Sequence, residues 1–156
     1  MRDGIIEPYE GRAYGLLEEL YREYNRREYV SPDPLQFLYN YERASDREVV
    51  GLIASSLAYG RVASILSSVG RVLDALGPSP AEYLLGLARG KGAKNPSEVL
   101  ADSLRGFVHR FTACDEMAKF LSGVGIALLN HGSLEKLFMD GMRGGINITA
   151  PMESFT

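Results

Sequence analysis

The sequence predicts an all-α protein, a single orthogonal domain of about eight helices, and three observations lead there. Apolar residues recur at helical spacing in nearly every periodic stretch. Glycine, proline and capping residues fall between those stretches, where helices start and stop. No pair of alternating apolar and polar runs suggests strands, and the chain has neither an internal repeat nor a low-complexity segment. The 156 residues are enough to bury a core, and 46% hydrophobic against 24% charged is a globular composition. The helical domain is expected over residues 1–143, with residues 144–156 an irregular tail.

In chain order, Leu16, Leu17, Leu20, Tyr21 and Tyr24 form a first stripe, flanked by Glu18–Arg22 and Glu23–Arg27 pairs four residues apart. Prolines at 32 and 34 then break the chain, because each disfavours helix in the residue before it. Asp33 is expected to serve that turn, and a short helix over 35–41 to bury Phe37, Leu38 and Tyr41. Ser45 and Glu48 read as a capping box opening the next helix. That helix aligns Val49, Leu52, Ile53 and Leu57 and should stop at Gly60.

The following helix has the cleanest pattern, with Val62, Ile65, Leu66, Val69, Val72, Leu73 and Leu76 apolar before Gly77 and Pro78 end it. Residues 80–88 form a shorter helix, followed by an exposed basic loop, RGKGAKNP. Asn95 and Pro96 are a cap and a first-turn proline for a helix whose apolar side is Leu100, Leu104, Phe107, Val108 and Phe111. Thr112 is expected to cap a helix carrying Met117, Phe120, Leu121, Val124 and Leu128. Gly132 and Ser133 separate it from a last helix with Leu134, Leu137 and Phe138.

Several chemistries are excluded. The longest apolar stretch, Val49 to Gly60, is interrupted by Ser55 and Ser56 and falls well short of the about 20 residues of a membrane span. The acidic N-terminus with Pro8 is not a secretory signal, and a cytoplasmic setting is expected. One cysteine, Cys114, forms no internal disulfide; at a helix start its thiol could be activated, but a small first-turn residue is the simpler reading. His109 and His131 lack the context of a zinc site, so no metal and no cofactor is expected. The cluster GLARGKG misses the P-loop spacing. Asn147 to Thr149 spells a glycosylation sequon without any sign of secretion. Asp46 and Glu48 are two apart on a helix and do not face one another, so no acid–base pair and no catalytic residue is named.

Net charge is −3, but residues 43–110 are net basic between two net acidic flanks. Within the basic part, the run DREVVGLIASSLAYGR ends on Tyr59, Gly60 and Arg61, at a turn between two buried helices. Tyrosine stacks and arginine grips phosphate in bidentate fashion, so the turn is a candidate nucleic-acid contact. Alternatively, Tyr59 packs on the helix pair and Arg61 caps free carbonyls. His109 and Arg110, expected beside two buried phenylalanines, are read as a helix-end pair capping carbonyls before they are read as ligands.

DREVVGLIASSLAYGR, the second amphipathic helix and GPSPAEYL, with Asp33-Pro34 upstream and VHRF downstream, resemble an uncharacterised prokaryotic domain of unknown function over most of residues 13–140. More distantly, the helix pair resembles the opening of the helix-hairpin-helix DNA glycosylase superfamily, where a small-residue and glutamine turn lies beside the target nucleotide. Here AYGR stands in that turn, without the glutamine. The resemblance implies a DNA-glycosylase-like N-terminal portion with Tyr59 and Arg61 as contacts and DNA as a partner; with Gly60 of the turn, Arg47, Arg89, Lys91 and Lys94 complete the nucleic-acid-binding candidates, expected to converge on one basic face. It also implies that the backbone-gripping hairpin and catalytic residue lie beyond Thr156, so this chain is expected to be a fragment, a truncated member or one half of a pair, inactive alone. The competing expectation is a non-catalytic helical interaction module that pairs with its own copy or with the missing half, the stretch Gly123–Leu129 being left uncovered.

Overall fold

The structure is a computed structural model that describes residues 8–90 and 95–142. It is all-α, and its contacts divide the chain into two compact units, residues 1–32 and 33–156. The first unit holds helix α1 (Pro8–Tyr24), opened by a proline that needs no intrahelical partner for its missing N–H, and a 3-10 turn over Arg27–Tyr29. Glu18 and Arg22 pair at 3.6 Å as the spacing predicts. Helix α1 ends at Tyr24, three residues before Arg27. Leu16, Leu17, Leu20, Tyr21 and Tyr24 are all exposed, so the stripe makes no core of its own.

The second unit opens with a 3-10 segment, Pro34–Asn40, where the sequence suggested a short helix. Asp33 starts it by accepting from the Leu35 amide at 2.7 Å. Then come α2 (Ala44–Ser56), α3 (Val62–Leu76), α4 (Pro80–Ala88), α5 (Pro96–Ser103), α6 (Cys114–His131) and α7 (Leu134–Gly141). Helix α6 packs on α4, α5 and α7, while α2 packs on the 3-10 segment and on α3, α4 and α7. Val49, Val50, Ile53, Val69, Val72, Leu84, Leu100 and Leu121 form the centre, each essentially without solvent contact. Helices α4 and α6 come close at Gly125, where a Cβ would lie 2.8 Å from the Leu84 carbonyl oxygen. The expected exposed run Gly123–Leu129 therefore splits: Val124, Gly125 and Leu128 are buried, while Ile126 and Leu129 face outward.

The expected capping box does not form. Helix α2 begins one residue earlier than Ser45, and Arg43 supplies no side-chain cap. The two acids of the motif instead cap other helices. Asp46, 3% exposed, accepts from the Ala81 amide at 2.9 Å, in the first turn of α4. Glu48 accepts from the Leu134 amide at 2.8 Å, the first residue of α7. Two residues apart on a helix, they point in different directions, which lets one helix start hold two others. Asn95 and Ser133 do cap their own helices, through bonds to the Ser97 and Lys136 amides.

Three further expectations are corrected around residues 57–113. Helix α2 ends at Ser56, and Gly60, at φ 113°, belongs to the connection into α3 rather than to the helix end. Helix α5 ends at Ser103, and a two-stranded hairpin follows, β1 (Val108–His109) and β2 (Thr112–Ala113), in place of a continued helix. Consequently Val108 is exposed, and Phe111, expected to be buried, is 93% exposed at the hairpin tip. Thr112 is not a cap: the N-cap is Ala113, whose amide donates to Glu116 three residues on. Tyr14, Tyr21, Tyr24, Tyr29 and Tyr39 are exposed. The sequon, the residues after 143 and most of the RGKGAK loop lie outside the described residues. No described helix is long and apolar enough to cross a membrane.

Candidate functional site

The α2–α3 connection and the hairpin tip meet. Phe107, fully buried, roots the hairpin in the core, and Arg71 grips the chain before it, donating to the Arg105 and Gly106 carbonyls at 2.6 and 2.9 Å. His109, 3% exposed, fixes β1 to the two helices. Its Nε2 lies 3.1 Å from the Tyr59 carbonyl, which can only accept, so in the neutral ring Nε2 carries the proton. Nδ1 then accepts from the Ser68 hydroxyl at 2.9 Å. Both ring nitrogens are occupied in holding structure, which leaves His109 no free atom for acid–base chemistry.

Tyr59 completes the joint. Its ring meets the His109 ring edge-on with centroids 4.7 Å apart. Its hydroxyl donates to the His109 carbonyl at 3.3 Å and lies 2.8 Å from the Thr112 hydroxyl. So Tyr59 packs and bonds on the hairpin.

Beside this joint opens a cavity of about 360 Å³ lined by Tyr59, Gly60, Arg61, Ser64, His109 and Arg110. The side chain of Arg110 crosses the turn so closely that a Cβ on Gly60 would lie 3.0 Å from Nε. Arg110 itself takes φ 53°, a left-handed conformation at the first of two tip residues, where a hairpin ordinarily uses glycine or asparagine. A side chain there costs about 1–2 kcal/mol. Among the described residues, neither Arg61 nor Arg110 has an acidic side chain within ion-pair distance. Two guanidinium groups, a phenol, a hydroxyl and the His109 ring line the cavity, with no carboxylate among the described lining residues, a lining that suits an anion. The cleft between Phe37, Tyr41, Gly70 and Pro78 is slightly larger, at about 390 Å³, but Asp74 lines it and no cation does.

Of the residues singled out in the sequence, Tyr59, Gly60 and Arg61 converge here. Arg47 lies near the other end of α2, about 14 Å along the axis from its last residue, and donates to the Glu42 carbonyl. Arg89 follows the end of α4 and does not line the cavity, and Lys91 and Lys94 lie outside the described residues. Arg110, Ser64 and the supporting His109, Ser68 and Thr112 were not placed here by sequence. The available signal was VHRFT itself, whose valine, phenylalanine and threonine favour strand over helix. At its helix start Cys114 is not activated by the helix end in the expected sense: burial, then the charge of Asp115, raise its thiol above its ordinary value. The described residues contain no cluster of histidine, cysteine and carboxylates able to hold a metal.

A family model described as a protein of unknown function, DUF2400, matches residues 33–156. The chain belongs to the DUF2400 family. The match begins where the second structural unit begins, so α2, the hairpin and the cavity all lie in the DUF2400 part. No curated protein and no solved structure matches the chain. The expected membership of a family of unknown function is thereby established, and the DUF2400 residues that form the cavity come from two segments about 50 positions apart.

Proposed function

We propose that this DUF2400 chain binds nucleic acid through the α2–α3 turn and the hairpin tip. One observation carries the reading: Arg61 and Arg110 flank the cavity beside Tyr59, and no lining residue is acidic. Phosphates supply the complementary charge, and guanidinium groups grip them with two parallel bonds. The resemblance of the α2–α3 pair to the opening of the helix-hairpin-helix glycosylases supports the same reading, since that superfamily places this turn beside the nucleotide. The missing glutamine separates this chain from the glycosylases at that point, and no excision chemistry is assigned to it. Arg47, Arg89, Lys91 and Lys94 are assigned long-range attraction, because it needs no convergence on one cavity.

The test is fluorescence anisotropy with a short labelled DNA, as single strand and as duplex, across a salt series, beside Arg61→Ala and Arg110→Ala. Binding should weaken steeply with salt, and each substitution should lower the slope of log K against log salt by about 1. Absence of binding at low salt, or binding indifferent to both substitutions, refutes the proposal.

A second reading, a helical interaction module, is favoured by the exposed stripe of α1, where Tyr14, Leu16, Leu17 and Tyr21 are 58–71% exposed. It predicts concentration-dependent self-association that Arg61→Ala leaves untouched.

A further inference from the structure

We infer that Phe111 is a stacking platform for an unpaired base, so that the site takes single-stranded nucleic acid in preference to a closed duplex. This rests on the nucleic-acid reading above and specifies its substrate class.

Phe111 is the most exposed large apolar side chain among the described residues, at 93%. Its exposure is not that of a loose loop. The pair His109↔Thr112 closes directly beneath the two tip residues, and both members are tied to Tyr59. Arg71 fixes the approach to β1, and Glu116 fixes the end of β2 at the Ala113 amide. A stem tied by these bonds therefore carries a ring that is 93% exposed, next to Arg110 in its left-handed conformation. Such strain persists only where the surroundings impose it, and it gathers at binding sites.

The neighbours of the ring decide what could cover it. Arg110 is adjacent in the chain and lies over Gly60, and Arg61 lines the same cavity. A ring one residue along the chain from Arg110, which lines a cavity with Arg61 and no acidic side chain among the described residues, matches a group that is flat and aromatic on one side and anionic on the other. A nucleotide is such a group, with its phosphate at the arginines and its base on the ring. Within a duplex both faces of every interior base are already covered by stacked neighbours. Only an unpaired or terminal base offers a free face to an outside ring, and stacking of this kind tolerates any base. The exposed phenylalanine therefore selects for single strand, while the arginines provide salt-dependent attraction to either form.

The experiment uses the full chain with end-labelled oligonucleotides: a single strand, the blunt duplex of the same sequence, and that duplex with a central unpaired bulge. Wild type, Phe111→Ala, Phe111→Leu, Phe111→Tyr and Arg61→Ala are compared over a salt series. The single strand and the bulge should bind more tightly than the blunt duplex. Phe111→Ala should weaken single-strand binding by about 5- to 150-fold, the range for one base stacked on one ring. Its salt slope should not change, whereas Arg61→Ala should lower that slope. Phe111→Leu should behave like the alanine variant, and Phe111→Tyr should restore binding. Melting curves check that each variant folds, which a 93% exposed side chain leads us to expect.

If the duplex binds as well as the single strand, and Phe111→Ala changes neither, the stacking inference falls while nucleic-acid binding stands. If none of the three oligonucleotides binds at low salt, both fall. If sedimentation shows a wild-type dimer that Phe111→Ala dissociates without loss of single-strand affinity, the ring serves a second copy and the inference is wrong.

Discussion

Replacing Asp46 with alanine tests whether α2 organises its neighbours. The carboxylate is 3% exposed and its bond to the Ala81 amide is 2.9 Å long, at a residue itself only 6% exposed. Hydrogen bonds to a charged group contribute about 1.5–3 kcal/mol, and removal would leave the Ala81 N–H buried with no partner. Asp46→Ala should therefore cost about 2–3 kcal/mol. Asp46→Asn keeps an oxygen able to accept and loses only the attraction of a charge for the positive end of α4, about 0.5–1 kcal/mol. Urea unfolding followed by circular dichroism reads both. With a slope near 1.5 kcal/mol per M, the alanine variant should lower the midpoint by about 1.3–2 M and the asparagine variant by well under 1 M. An alanine midpoint within about 0.3 M of wild type would show that the bond contributes nothing and that α4 is held by its apolar face alone. Equal losses for the two variants would place the effect in the charge and not in the cap.

Two glycines of α6 should respond in opposite directions. Gly125→Ala puts a methyl 2.8 Å from the Leu84 carbonyl oxygen and should destabilise by about 1–3 kcal/mol, whereas Gly123→Ala meets nothing within 4 Å and should stabilise by about 0.5–1 kcal/mol. Thermal melts of both variants check this, and a matching shift for the two would remove the close α4–α6 approach as the cause. Burial, and then the charges of Asp46 and Asp74, raise the Tyr41 phenol above its ordinary value of 10.0. The folded state thus keeps that proton to higher pH than the unfolded state, so the contribution to stability is complete below pH 10 and declines as pH climbs through the folded value. Tyr41→Phe should flatten the alkaline loss seen in urea midpoints between pH 8 and 11, and an unchanged loss would assign it elsewhere.

Much of the fold was legible along the chain because helix boundaries are local. Gly77 and Pro78 after α3, Pro80 at the start of α4, Asn95 and Pro96 at the start of α5, and Gly132 and Ser133 before α7 all act where spacing places them. Each requirement involves only residues within one turn: a free amide to accept, a positive φ, a missing N–H. The buried faces of α2 and α3 followed from periodicity for the same reason, although Val62 and Leu52 show that one stripe is not uniformly covered. At the turn, Tyr59, Gly60 and Arg61 could be singled out because a ring and a guanidinium follow directly on an apolar helical run.

Other features depended on partners distant in the chain. Serine followed three residues later by glutamate satisfies the local capping pattern, yet Glu48 is drawn to the amide of Leu134 and Asp46 to that of Ala81, buried donors that only packing brings within reach. VHRFT continues a helical stripe on paper, but His109 gains Ser68 and the Tyr59 carbonyl by forming a hairpin instead. That exchange carries Arg110 across to Gly60 and leaves Phe111 in solvent. The sequence by itself determined where the helices lie, since 3.6-residue periodicity and end chemistry are properties of short segments. The tertiary structure alone decided which acid caps which helix and which arginine joins Tyr59, because those hydrogen bonds form only after the core has brought distant segments together.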